Sequence, residues 1–216
     1  MKIILSISGG GVRGLIPAIV LAEIEKRTGK RISDCCDLIA GNSTGGIISC
    51  LLTVPNKNGI PKYTASKIVT MYKQFGKYVF KRSVFRKIAT LSGWSWSKYP
   101  SKPLEELLKE YFGEIKLNEV TTDVLIPTYQ ITNVPYPSFF KSTHAKNPTC
   151  CEENPYLWEC ARATSAASSY FSPYKYSDKL TFIDGGLFAN NPAMCAYAQG
   201  KKMWGDNEQI VLISLG

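Results

Sequence analysis

Twice within its first 53 residues the chain carries a short apolar segment into a glycine turn and out into an apolar, helix-like run. Lys2–Ser8 leads through Gly9-Gly-Gly-Val-Arg-Gly14 into Leu15–Thr28, and Asp37–Gly41 leads through Asn42-Ser-Thr into Gly45–Thr53. Pro17 falls in the first turn of the first helix, where its missing N–H costs little. Short, continuously apolar strands in alternation with helices build a parallel sheet, because such strands need cover on both faces and each crossover helix supplies it. The expected fold class is α/β, a three-layer α/β/α sandwich with a mostly parallel central sheet.

The rest of the chain fits one domain spanning residues 1–216. Leu104–Phe112 reads as an amphipathic helix, Val124–Asn133 and Ser138–Ser142 as strands, and Tyr156–Ala166 as a helix. Leu180–Ile183 reads as a short strand ending at Asp184. A helix starts near Pro192, and Gln209–Leu215 is a last strand. Pro55–Pro103 has a different texture, basic and aromatic with no clean strand pattern, and is expected to form a cap of helices and loops.

That cap segment carries the charge of the chain. No acidic residue occurs between Asp37 and Glu105, whereas eleven of the 26 Lys and Arg fall there, from Lys57 to Lys102. The remaining 15 basic residues face 17 acidic ones, so the net charge of +9 comes from this one stretch. A basic block with Trp94, Trp96 and Tyr99 among it suits an anionic membrane surface, the rings resting at headgroup level. It matches no helix-turn-helix or RNP pattern, so nucleic acid is not expected as a partner. Seven cysteines without a C-x-x-C, and a single histidine, argue for free thiols in a reducing compartment and against a zinc site. No apolar run is long enough to span a membrane, and the N-terminal apolar stretch is too short for a signal peptide. The expectation is a cytoplasmic or peripheral membrane protein.

The chemistry concentrates in three places. Gly9, Gly11 and Gly14 satisfy G-x-G-x-x-G, a pattern whose N–H groups serve either a pyrophosphate or the oxyanion of an ester under attack. Gly41-Asn-Ser43-Thr-Gly45 is a G-x-S-x-G at a strand-to-helix junction, where a tight turn projects the serine hydroxyl and the helix dipole faces a developing oxyanion. A serine nucleophile needs a base, and the lone His144 lies in a polar loop with no acid placed to orient it. The base is therefore expected to be a carboxylate, Asp184 in Phe182-Ile-Asp-Gly-Gly-Leu-Phe188, whose partial desolvation would raise its pKa and its basicity.

Together these three elements resemble the patatin-like phospholipase family. The resemblance extends to Ala161-Arg-Ala-Thr-Ser-Ala-Ala-Ser-Ser-Tyr-Phe171, to Ala189-Asn-Asn-Pro192 and to the terminal Ile213-Ser-Leu-Gly216. It implies Ser43 as nucleophile, Asp184 as its dyad partner, and Gly9, Gly10 and Gly11 with Arg13 as the oxyanion loop. Gly14, Gly41, Thr44, Gly45, Gly185 and Gly186 would support them. It also implies hydrolysis of acyl esters of phospholipids, with no metal or organic cofactor. Two departures stand out: Ser8 where the family often has Asp, and Asn42 where Thr or Gly is common. The chain also stops at Ser-Leu-Gly, where relatives typically continue, which suggests a longer protein. A thioesterase or neutral-lipid esterase would use the same dyad. A nucleotide-binding module would use the Gly9–Gly14 loop but needs an acid beyond the second strand, and Asp34 falls before it.

Overall fold

The computed structural model describes residues 1–79, 99–132, 134–147 and 154–216. Seven strands form one mixed sheet: β1 (Lys2–Ile7), β2 (Leu38–Gly41), β3 (Asp123–Gln130), β4 (Tyr136–Lys141), β5 (Tyr174–Lys175), β6 (Thr181–Asp184) and β7 (Ile210–Leu215). β7, β1, β2 and β3 run parallel in that spatial order, while β4, β5 and β6 are antiparallel to their neighbours. The helices are α1 (Leu15–Thr28), α2 (Ile32–Cys35), α3 (Thr44–Thr53), α4 (Ala65–Val79), α5 (Lys102–Phe112), α6 (Ser142–Ala145), α7 (Leu157–Thr164) and α8 (Ala193–Trp204).

Alternation along the strands separates two cores. Leu5, Ile7, Ile39, Val124 and Ile126 face the larger one, which is filled by α1, α3, α4, α5 and α7. The intervening Ile4, Leu38, Ala40 and Leu125 turn to the opposite face, where Ala196 of α8 packs on them. Side chains at successive strand positions point to opposite faces, so strands apolar at every position are covered twice. This is the expected three-layer sandwich.

The sheet topology brings β2 and β6 end to end. A strand has two edges, and β4 takes one edge of β3 over Leu125–Gln130. On the other edge β2 pairs with Asp123–Leu125, and β6 pairs with Thr128–Gln130. β2 runs up this edge and β6 runs down it, so their C-terminal ends point at each other across Ile126 and Pro127. At about 3.3 Å per residue the gap is only a few residues wide. Asn42 and Ser43 leave β2 into that gap, and Asp184 closes it from the other side.

Several boundaries differ from the sequence reading. β3 ends at Gln130 rather than Asn133, β4 covers Tyr136–Lys141, and β6 includes Asp184. α5 starts at Lys102, with Pro103 in its first turn as that residue prefers. α7 ends at Thr164, two residues early, because the following backbone turns to hydrogen-bond Asp184 N–H through the Ala166 carbonyl at 3.1 Å. The short α2, α6 and β5 carry too few residues to show a period and were not anticipated. Of the basic segment, residues 55–79, which include α4, and residues 99–103 are described, whereas Trp94 and Trp96 lie outside the described residues.

Candidate active site

Ser43 occupies the sharp turn from β2 into α3 with φ 51° and ψ −126°. It is the only non-glycine residue with positive φ among the described residues. A side chain in this region costs about 1–3 kcal/mol and persists only where the surroundings impose it. Here they do so by contact. A Cβ on Gly41 would overlap the Gly45 carbonyl and the Ser49 hydroxyl, and one on Gly45 would overlap the Ile7 carbonyl. The elbow is thus pressed against β1 and against its own helix, which leaves no room for a relaxed turn.

Hydrogen bonds fix what the contacts leave free. Ser43 N–H donates to Thr164 Oγ1 at 3.0 Å, and Thr164 Oγ1 donates to the Pro127 carbonyl at 2.6 Å. Thr164, fully buried, therefore ties the elbow to β3 midway between the ends of β2 and β6. Asp184 caps the following turn of 3-10 helix, its Oδ1 accepting from Gly186 N–H at 2.7 Å. Gly185 lies directly on the Pro127 carbonyl, where a Cβ would not fit. The Ser43 side chain is in hydrogen-bonding reach of the Asp184 carboxylate. Burial raises the pKa of Asp184 above the usual carboxylate value, and the hydrogen bonds from Ser43 and Gly186 only partly oppose it.

The glycine loop is stapled to this elbow. Gly9 N–H donates to Asn42 Oδ1 at 2.9 Å and Gly10 N–H to Thr44 Oγ1 at 3.2 Å. Gly11, at φ 60°, begins a 3-10 turn, and its carbonyl accepts from the Tyr72 hydroxyl of α4. Gly14 is buried beneath, where a Cβ would meet Tyr72 Oη at 2.6 Å and Thr44 Oγ1 at 3.2 Å. Arg13 donates its N–H to the Gly10 carbonyl at 3.2 Å, and its exposed side chain folds back over Gly10. Among the described residues the N–H groups of Gly11 and Thr44 have no hydrogen-bond partner.

All of this opens into a cavity of about 730 Å³. Gly9, Gly10, Gly11, Arg13, Ser43, Thr44, Asp184 and Gly186 line its polar floor. Ile47, Tyr72, Tyr99, Leu104, Tyr170 and Phe171 form apolar walls. A wide apolar chamber with a few convergent polar groups is the form of a small-molecule or lipid site.

The patatin-like phospholipase family profile matches residues 5–197. The chain belongs to this family. Patatin-like protein 2 of Oryza sativa subsp. indica is 38% identical over 219 residues, covering 94% of this chain and 53% of that protein. Patatin-like protein 4 of Arabidopsis thaliana is 39% identical over 204 residues, covering 88% of this chain and 50% of that one. A Solanum tuberosum relative named as the probable inactive patatin-3-Kuras 1 is 30% identical, covering 100% of this chain and 62% of its own length. The chain thus spans about half the length of the first two. Among solved structures, VipD from Legionella pneumophila aligns at TM-score 0.42 and 12% identity, over 86% of this chain and 46% of that one.

Against the patatin-like pattern the two departures have different standing. Asn42 is buried at the centre of the site, where its carboxamide holds Gly9 N–H. Ser8 does not line the cavity and lies against Gly216. His144 sits outside the site on α6, where burial and then Lys141 and Lys202 push its pKa down. Asp34 belongs to α2 and does not line the cavity either. Tyr99 stacks on Tyr170 with centroids 6.2 Å apart and stands in the cavity wall, not on an outer surface. Two residues went unnamed in the sequence reading. Thr164 falls inside the Ala161–Phe171 stretch that carried the resemblance, so a signal existed. Tyr72 gave none, since it falls in the basic Pro55–Pro103 segment, which is expected only to form a cap of helices and loops.

Proposed function

We propose that this protein is a lipid acyl hydrolase that cleaves fatty-acyl esters of phospholipids through a Ser43–Asp184 dyad. The observation that carries the reading is a serine at φ 51° in reach of a desolvated carboxylate, both on the floor of an apolar cavity. Family membership alone would not suffice, since one relative is named as probably inactive.

In the first half-reaction Asp184 takes the Ser43 proton as the hydroxyl oxygen attacks the ester carbonyl carbon. The tetrahedral oxyanion is met by Gly11 N–H and Thr44 N–H, neither of which has another partner among the described residues, with Gly10 N–H free to exchange its 3.2 Å bond to Thr44 for the oxyanion. A donor of this kind is worth about 3–4 kcal/mol of barrier. Collapse expels the lysophospholipid alkoxide, which takes the proton from Asp184. Asp184 then removes a proton from water, whose oxygen attacks the acyl-serine, and returns it to Ser43 as the fatty acid leaves. The dyad needs no metal or cofactor. The substrate comes from a bilayer, and the basic segment from Lys57 to Lys102 favours an anionic one. A thioester or neutral lipid would react by the same steps.

Labelling with a fluorophosphonate tests the reading. Wild-type protein is expected to be labelled and Ser43→Ala not at all, and a lipid panel read by mass spectrometry is expected to show release of fatty acid from phospholipids. Wild-type protein that takes no label would overturn it.

A further inference from the structure

The cavity mouth continues into a surface that the dyad does not use. Val12, 63% exposed, stands on one lip of the cavity, and Leu187, 64% exposed, on the other. From Val12 the exposed aliphatic residues continue along α1 as Ile16 at 62%, Ile19 at 49% and then Val20. Spacings of three and four residues put Ile16 on one side of α1 with Ile19 and Val20, and Val12 stands in the 3-10 turn that leads into that helix. Isolated exposed apolar residues are ordinary, but a continuous stripe leading from a cavity mouth is an interaction surface.

α4 lies antiparallel beside α1 and is pinned near the two ends of α1, in its last turn and in the 3-10 turn that precedes it. Glu25 Oε2 accepts from Ala65 N–H at 2.8 Å at one end, and Tyr72 donates to the Gly11 carbonyl at the other. The outward side of α4 presents Ser66, Lys67, Thr70, Lys73 and Gln74, with no acid among them. Neither lysine is in an ion pair among the described residues. The acids on α1 are already engaged, Glu23 with Arg27 at 2.8 Å and Glu25 with Arg31 at 3.7 Å as well as with Ala65 N–H.

We propose that the paired outer surface of α1 and α4, from Val12 and Leu187 at the mouth to Lys67 and Lys73 alongside, is the face on which the protein sits on an anionic phospholipid bilayer. The proposal rests on the hydrolase reading and assigns it a docking face. The chemistry favours lipid over protein as the occupant. Aliphatic side chains flanked by free lysines are the composition of an interfacial helix, whereas protein contacts rely on central Trp, Tyr and Arg anchors. Geometry agrees, because an acyl ester leaving the bilayer over this stripe arrives directly at the lip above Ser43.

The test compares Ile16→Glu/Ile19→Glu and Lys67→Glu/Lys73→Glu with wild type, by co-sedimentation with vesicles of phosphatidylcholine or phosphatidylcholine plus phosphatidylglycerol, and by hydrolysis of a soluble short-chain p-nitrophenyl ester. The isoleucine variant is expected to lose about tenfold or more in vesicle affinity, the change that removal of one buried aliphatic side chain brings. The lysine variant is expected to lose about fivefold per charge, only on anionic vesicles and only at low salt. Both variants are expected to retain short-chain ester hydrolysis, since all four side chains lie outside the cavity. Unchanged vesicle affinity in the isoleucine variant overturns the proposal. So does a wild-type dimer that this variant dissociates, which would give the face to a second copy. Binding is read without turnover, so wild-type protein that binds anionic vesicles through these residues yet hydrolyses no ester supports the face and overturns the hydrolase reading.

Discussion

Ser43 and Asp184 reach the cavity from two junctions held by different forces. At the end of β2 the constraints are steric: two glycines pressed on backbone carbonyls hold a serine in a conformation it would otherwise leave. At the end of β6 they are polar: Gly186 N–H and the Ser43 hydroxyl hold a carboxylate that burial has made less comfortable as an anion, and the Ala166 carbonyl holds the backbone N–H of the same residue. Steric constraint fixes a position and is indifferent to pH. Hydrogen bonds to a desolvated acid fix a position and a protonation state together. The dyad therefore divides its labour, with geometry set at the nucleophile and proton affinity set at the base.

The strongest break in this comparison is Asp184→Asn. The amide oxygen still accepts from Gly186 N–H, so the turn is kept while the base is lost. Turnover is expected to fall by about 10²- to 10⁴-fold, the usual contribution of a positioned base. Stability should move the other way. The folded-state pKa of Asp184 lies above its unfolded value, so the folded state binds the proton more tightly, and stability is lost as pH rises through the folded pKa. At neutral pH the variant is expected to melt higher, by about 2–4 °C for each kcal/mol relieved, and the gain should vanish below the ordinary carboxylate range. In wild type the acid limb of kcat/KM should sit above that range. A limb at the usual carboxylate value would mean that burial does not tune the base.

Thr164 joins the two junctions, and its hydroxyl tests whether the join matters. Thr164→Val removes the acceptor for Ser43 N–H and the donor to the Pro127 carbonyl, at a cost of about 1–3 kcal/mol for each orphaned group. Displacing the nucleophile by a fraction of an ångström to one ångström is expected to lower kcat by about ten- to a hundredfold. Thr164→Ser keeps both bonds and loses only the methyl packed near Gly46, so it should recover most of kcat. Equal losses in the two variants, measured per fluorophosphonate-reactive site, would reduce Thr164 to a packing role.

This division also explains what could be read in the sequence. Steric demands are written locally, since Gly41, Ser43 and Gly45 must stand within five residues, and the strand-turn-helix order around them declares the parallel half of the sheet. Asp184 was legible because its two glycines and the lack of a usable histidine narrowed the choice. The polar ties were not. Thr164 is 121 residues from Ser43 and Tyr72 is 61 from Gly11, and no local pattern links such partners. The head-to-head meeting of β2 and β6 was equally hidden, because β6 pairs through three residues and β5 through two. Asn42 stood out only as a departure from a family pattern, and only its contact with Gly9 N–H shows what the carboxamide does.

The smallest expected effect comes from Tyr72, and it sharpens the contrast furthest because it acts on a region that neither dyad residue occupies. Its hydroxyl donates to the Gly11 carbonyl and accepts from Thr44, whose oxygen in turn accepts from Gly10 N–H. The ring so formed holds the glycine loop at the elbow through α4, and such closed chains strengthen their members. Burial pushes the Tyr72 phenol up to about 12, so it remains a donor throughout the working range. Tyr72→Phe keeps the ring that fills the cavity wall and removes only this donor. A hydrogen bond of this kind contributes about 0.5–1.5 kcal/mol, so kcat is expected to fall by about three- to tenfold. The fall should be uniform across pH, with the acid limb set by Asp184 unmoved. A shift of that limb in Tyr72→Phe would show that the loop and the base are coupled, and that position and protonation are not set apart after all.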